Sequence, residues 1–146
     1  MGKFLTELDV RLCKEETVGE NELWELISPL VYQSNTVGII VVPAGFKTDF
    51  ASVPRVPIAF WLTGGLAKKA AVLHDYLYAL PHVTIAGTCN EVTRSEADKV
   101  LLGAAIDGIR QHGDGFFTAI KNQWGFLKAR MMWLAVRVCG SSHWER

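Results

Sequence analysis

His74-Asp75-x-x-Tyr78 puts a titratable base, a carboxylate and a phenol within about one helical turn. On a helix, residues four apart share a face. His74 and Tyr78 therefore stand on the stripe that also carries Ala70, Ala71 and Leu77. Asp75 sits about 100° further round. Strongly polar groups on an otherwise apolar turn are costly unless each finds a partner. Asp98 is the partner the sequence offers. It lies at the edge of a second helical face, Ala97/Leu101/Ala105, with Arg94 one ion-pair spacing before it. If the two helices pack antiparallel, Asp98 meets His74. An aspartate bonded to one imidazole nitrogen fixes the tautomer and leaves the other nitrogen as a general base. Asp75 would then point toward the loop containing Gly64-Gly65 or toward Asp49, and a carboxylate there suits calcium or magnesium. The same groups also read as a buried structural ion-pair network.

A further polar run, Thr48-Asp49-Phe50-Ala51-Ser52-Val53-Pro54-Arg55, joins the two halves of the chain. Loops of this kind on a rigid scaffold often hold functional groups. Asp49 is a second candidate metal ligand, and Ser52, Arg55 and Arg94 are candidate binding residues. The plainer alternative is a capped turn, with Asp49 or Ser52 accepting backbone N–H bonds and Pro54 opening a helix. Arg55 or Arg94 would then simply neutralise the carboxylates.

The elements around these residues divide the chain into a strand-rich half, 1–50, and a helical half, 51–146. Residues 4–12 alternate with period two, and 37–42 are β-branched and apolar. Residues 22–34 carry Leu23, Trp24, Leu26, Ile27, Leu30, Val31 and Tyr32, with Pro29 forcing an edge or a bend. Residues 66–80 read as a helix stopped by Pro81, and 82–92 as a loop. Thr93-Arg94-Ser95-Glu96 is a capping box opening a helix to about residue 109. A last helix has Phe116, Ile120, Trp124, Leu127, Met131, Leu134 and Val138 at spacings of three and four, a stripe expected to face the core. The expected fold is α+β: one domain, 1–146, with a small N-terminal antiparallel sheet packed against three main C-terminal helices.

Composition narrows the classes. Hydrophobic residues at 49% and charged residues at 21% belong to an ordinary folded chain. Fifteen Lys+Arg against fifteen Asp+Glu give no basic surplus, so no nucleic-acid partner is expected. The longest apolar stretch, 37–46, is interrupted by Gly38, Pro43 and Gly45, so no transmembrane segment is expected. The N-terminus lacks the apolar core of a signal peptide. Cys13, Cys89 and Cys139 are far apart and odd in number, which argues against a disulfide framework or a thiolate zinc site. Synthesis and folding in a reducing cytoplasm is the expectation.

Two resemblances rest on these residues. Pro43-x-Gly45-Phe46-x-Thr48-Asp49-x-x-Ser52-x-Pro54-Arg55, Ala71-Val72-Leu73-His74-Asp75-x-Leu77-Tyr78, Arg94-x-x-Ala97-Asp98, then Ala135-Val136-Arg137-x-x-Gly140 and Trp144 resemble domain-of-unknown-function family 1353 (DUF1353) over nearly the whole chain. That resemblance implies a phage or prophage origin, with synthesis in the host cytoplasm, and no particular activity. His74-Asp75-x-x-Tyr78 followed by Ala97-Asp98 is similar to the active-site helices of phospholipase A2-like enzymes. This second resemblance implies His74 as the base that activates water, Asp75 as a calcium ligand, and Asp98 with Tyr78 as the pair that orients His74. Gly64-Gly65 lies closer to His74 than that family's calcium loop does to its histidine. The family's disulfides are absent, and the strand-rich half has no counterpart in it.

Three functions follow as expectations. The first is a metal-assisted hydrolase with His74, Asp98 and Tyr78 in the catalytic group and Asp75 and Asp49 at the metal. It would act on phospholipid esters with calcium, or on a cell-wall amide, for which zinc is the more natural metal. Only His74 of the four histidines sits in a rich motif, which weighs against zinc; His82, His112 and His143 fall in apparent loops or the tail. The second is a virion or tail-associated structural protein, its polar cluster locking the two halves, with Trp61, Trp124, Trp133 and Trp144 supplying core and interface area. The third is a small factor that blocks a host protein.

Overall fold

A computed structural model of the chain describes residues 2–18, 21–50, 66–85 and 88–111, together with Leu127, Ala129, Arg130, Met131, Trp133, Leu134 and Arg137. The N-terminal part forms two three-stranded antiparallel sheets. One has the order β1 (Lys3–Phe4), β4 (Leu30–Ser34), β5 (Gly38–Val42); the other has β2 (Val10–Val18), β3 (Asn21–Leu26), β6 (Lys47–Thr48). Helix α1 (Leu66–Ala79), the hairpin β7 (His82–Ile85)–β8 (Thr88–Glu91) and helix α2 (Arg94–Gln111) follow. The described residues among 127–137 are also helical. This is the α+β arrangement expected, strands first and helices after.

Three details differ from the sequence reading. Residues 4–12 are not one strand: Phe4 ends β1 in one sheet and Val10 opens β2 in the other. Thr6 makes the break. Its hydroxyl donates to the Pro29 carbonyl at 3.0 Å and accepts the Val31 N–H at 2.8 Å, so a side chain takes the place of ladder bonds. Residues 82–91, read as part of a loop, pair as a hairpin from His82↔Glu91 to Ile85↔Thr88. The β-branched residues Val83, Thr84 and Ile85 outweigh the polar residues on its second strand. The third difference concerns the C-terminal stripe. Leu127, Met131 and Leu134 are exposed, and Ala129, on the other side of the helix, is buried.

The core lies between the β1-β4-β5 sheet and the two long helices. Leu30 and Tyr32 from β4 and Ile40 and Val42 from β5 point inward, and Ile39 and Val41 alternate outward. Ala70, Ala71, Leu73 and Leu77 of α1 meet Ala97, Val100, Leu101 and Ala104 of α2, all buried. Small residues on both faces let the helices come close enough for polar groups to meet across the seam. The capping box is present: the Glu96 carboxylate accepts the Thr93 N–H at 2.8 Å, and the Glu96 N–H reaches the Thr93 hydroxyl at 3.3 Å. The Thr93 N–H, and the Thr93 hydroxyl donating at 2.7 Å, hold the Glu96 carboxyl below the usual carboxylate range. At Gly45, φ is +83°, a conformation open to glycine at little cost, and its N–H bonds the Leu26 carbonyl at 2.8 Å. The chain thereby turns from β5 into β6 and delivers Thr48 beside α1.

Polar contacts fix the helices on the strands. The Tyr32 hydroxyl donates to Asp107 Oδ2 at 2.9 Å, both groups buried. Lys69 Nζ pairs with Glu7 at 2.7 Å and lies over the Phe4 ring, 5.2 Å from its centre. Tyr32→Phe leaves the Asp107 carboxylate without that donor and should lower the unfolding free energy by about 1–3 kcal/mol. Combining it with Asp107→Leu, which removes both partners, should recover much of the loss in urea denaturation.

Candidate functional site

The contacts across the helix seam run His74 to Asp98 and Tyr78 to Asp98 and Arg94, so α1 and α2 oppose one another in direction, as the sequence argument required. His74 is 1% exposed and Asp98 0%. His74 Nε2 lies 3.2 Å from Asp98 Oδ1, and the Tyr78 hydroxyl donates to the same oxygen at 2.7 Å. Arg137 Nη1 donates to the other oxygen, Oδ2, at 3.3 Å. The Tyr78 and His74 rings are tilted against each other with centroids 4.0 Å apart, so packing as well as hydrogen bonding limits imidazole rotation.

Burial pushes the Asp98 carboxyl up, but the His74 and Tyr78 hydrogen bonds and the Arg137 guanidinium outweigh it and hold the group below the ordinary aspartate value. Asp98 is therefore ionised at neutral pH and can only accept. The same contacts act oppositely on Tyr78, whose phenol is pushed up to about 12 by burial and by the Asp98 carboxylate, against a smaller pull from Arg94. Tyr78 is thus a neutral donor to Asp98, and its oxygen accepts Arg94 Nε at 3.2 Å.

The tautomer of His74 follows from the acceptor. A carboxylate offers no hydrogen, so Nε2 must carry one. In the neutral ring Nδ1 then bears the lone pair. Nδ1 is buried and has no hydrogen-bond partner among the described residues. The arrangement is a fixed, oriented imidazole with one bare basic nitrogen.

Asp75 leaves the seam on a different side. Its Oδ2 accepts the Thr48 hydroxyl, and the same hydroxyl accepts the Phe50 N–H at 3.1 Å. Phe50 has φ +54°, rare for an aromatic residue and a sign of local strain held by its surroundings. This turn keeps Asp49 next in the chain to Asp75's partner, and Asp49 is half-buried. Asp75 thus meets the strand-half junction, one of the two directions open to it; Gly64-Gly65, the other, lies outside the described residues. Among the described residues no three or more His, Cys, Asp or Glu gather into a metal-holding group.

Of the residues singled out from the sequence, His74, Tyr78, Asp98 and Arg94 come together, and Asp75 joins the Thr48–Phe50 turn. Ser52, Arg55 and Gly64-Gly65 lie outside the described residues. Arg94 was expected to serve Asp98 through helical spacing. Arg94 bonds Tyr78 and, at 2.9 Å, the Arg137 carbonyl, and Arg137 brings its charge to Asp98. Arg137 and Thr48 were missed as site residues. Both stood in the motif runs quoted above, but sequence spacing within one helix cannot report a partner from another element.

An α+β protein with a buried His–Asp pair at a helix seam is the class that these observations define. Residues 24–136 match the family described as Protein of unknown function (DUF1353), and the chain belongs to that family. Neither curated proteins nor solved structures give a match to the chain.

The pH dependence of stability should report Asp98. Its folded pKa lies below the unfolded value of about 3.9, so its contribution is complete above that value and is lost as pH falls through the folded pKa. Asp98→Ala strands three donors and should cost about 3–5 kcal/mol near neutral pH. Asp98→Asn should cost less and give a flatter stability profile below about pH 4 than wild type, read by urea unfolding across the acid range.

Proposed function

We propose that the protein is a phage-encoded hydrolase of phospholipid esters, with His74 as general base and Asp98 as its orienting carboxylate. The observation that carries this reading is the asymmetry of His74: Nε2 is held by Asp98, and Nδ1 is basic, buried and without a partner among the described residues. Folded proteins seldom leave such a nitrogen unpaired. A water molecule is a partner of the right size and chemistry. Nδ1 would take a proton from that water as its oxygen adds to the ester carbonyl carbon. The imidazolium so formed is stabilised by the Asp98 charge. It then returns the proton to the alkoxide oxygen as the C–O bond breaks, giving a carboxylic acid and an alcohol. Tyr78 and Arg137 hold Asp98, and Arg94 steadies Tyr78.

The likeness of His74-Asp75-x-x-Tyr78 and Ala97-Asp98 to phospholipase A2-like active-site helices supports the substrate class. In this reading Asp75 would hold calcium at the junction with Thr48 and Asp49. A cation bound there would supply positive charge to the developing oxyanion.

One observation favours a second reading. His74 is 1% exposed and Arg137 offsets the Asp98 charge, which suits a purely structural lock in a virion or tail protein. Two measurements separate the readings. Fatty-acid release from phosphatidylglycerol vesicles with calcium should fall about 10²–10⁴-fold in His74→Gln. Calcium should raise the melting temperature of wild type but not of Asp75→Asn. No release by folded wild type and no calcium shift would leave the structural role standing.

A further inference from the structure

We propose that the C-terminal helix docks the protein on an anionic lipid bilayer. Leu127, Met131 and Leu134 are 50%, 53% and 57% exposed, although long apolar side chains at this spacing would ordinarily be turned inward. At 100° per residue they fall within about 60° of one another. Ala129 is 1% exposed and lies on the opposite side of the helix, so the helix is seated by the side that carries Ala129 and presents Leu127, Met131 and Leu134 outward. Arg130 and Arg137, both exposed, flank one border of the apolar stripe.

Charge identifies the occupant. Residues 115–144 contain Lys121, Lys128, Arg130 and Arg137 and no Asp or Glu. The remaining residues carry eleven Lys+Arg against fifteen Asp+Glu, so the neutral total conceals a cationic C-terminal segment on an otherwise acidic chain. An apolar stripe bordered by long basic side chains matches the in-plane helix of a peripheral membrane protein. The apolar groups enter the acyl boundary and the cations stay at the headgroups. Among the described residues no helix is long and apolar enough to cross a membrane. A second copy of this chain suits the face poorly, because two-fold pairing would set the Arg130 borders against each other. The inference does not need His74 to be catalytic. It does place a lipid surface one contact away from the site, since Arg137 sits on this helix and reaches Asp98.

Sedimentation of the full chain with phosphatidylcholine vesicles, and with vesicles that also contain phosphatidylglycerol, tests it. Wild type should bind the anionic vesicles and lose binding at high salt. Leu134→Glu and Arg130→Glu should each weaken binding by about tenfold or more with unchanged melting temperature, as expected for exposed positions. His74→Gln should bind like wild type, which separates this surface from the hydrolase reading. Failure of folded wild type to bind either vesicle would overturn the proposal. So would a concentration-dependent dimer that Leu134→Glu dissolves, because the stripe would then belong to a second copy.

Discussion

A fully buried carboxylate is tolerable only where donors surround it, and Asp98 organises the C-terminal half of this protein for that reason. Its two oxygens draw on three residues from two other helices: His74 and Tyr78 from α1, and Arg137 from the C-terminal helix. Each bond needs the helices at one distance and one rotation. The alanines along the seam permit that approach, and the capping box of Thr93 and Glu96 starts α2 four residues ahead of Asp98. Packing and electrostatics are thus satisfied by a single arrangement, which is how a polar core specifies structure when it is complete.

The same constraint creates the chemical asymmetry. Because Asp98 stays ionised, the imidazole nitrogen that faces it carries a hydrogen, and in the neutral ring the other nitrogen bears the lone pair. An imidazole adds a second nitrogen whose use the fold leaves open. Nearby, the Thr48 hydroxyl joins Asp75 to the strained turn at Phe50, so the strand-rich half also ends at this site. Two three-stranded sheets serve here to bring that turn against α1.

Much of this was legible from the residues. The helix of His74 was bounded by Pro81, and the capping box announced the helix of Asp98. Antiparallel packing of the two helices was enough to bring His74 to Asp98. Legibility failed where a tertiary contact overrode a local pattern. Thr6 broke an alternating run by bonding Pro29 and Val31, a long-range event with no local trace. The hairpin at 82–91 was obscured by polar residues that its outer face tolerates. The stripe at Leu127, Met131 and Leu134 had helical spacing but the wrong side, because periodicity identifies an apolar face without saying what covers it. Arg137 was hidden for a related reason: spacing gave Arg94 to Asp98, and the fold brought a cation from a different helix.

The central claim is that Asp98 locks His74 with its hydrogen on Nε2 and its lone pair on Nδ1. Long-range proton–nitrogen correlation NMR on the imidazole rings reads this directly. The account predicts that the neutral His74 ring is a single tautomer, protonated on Nε2, which loses its preference in Asp98→Asn. A ring protonated on Nδ1 with Nε2 bare would contradict it.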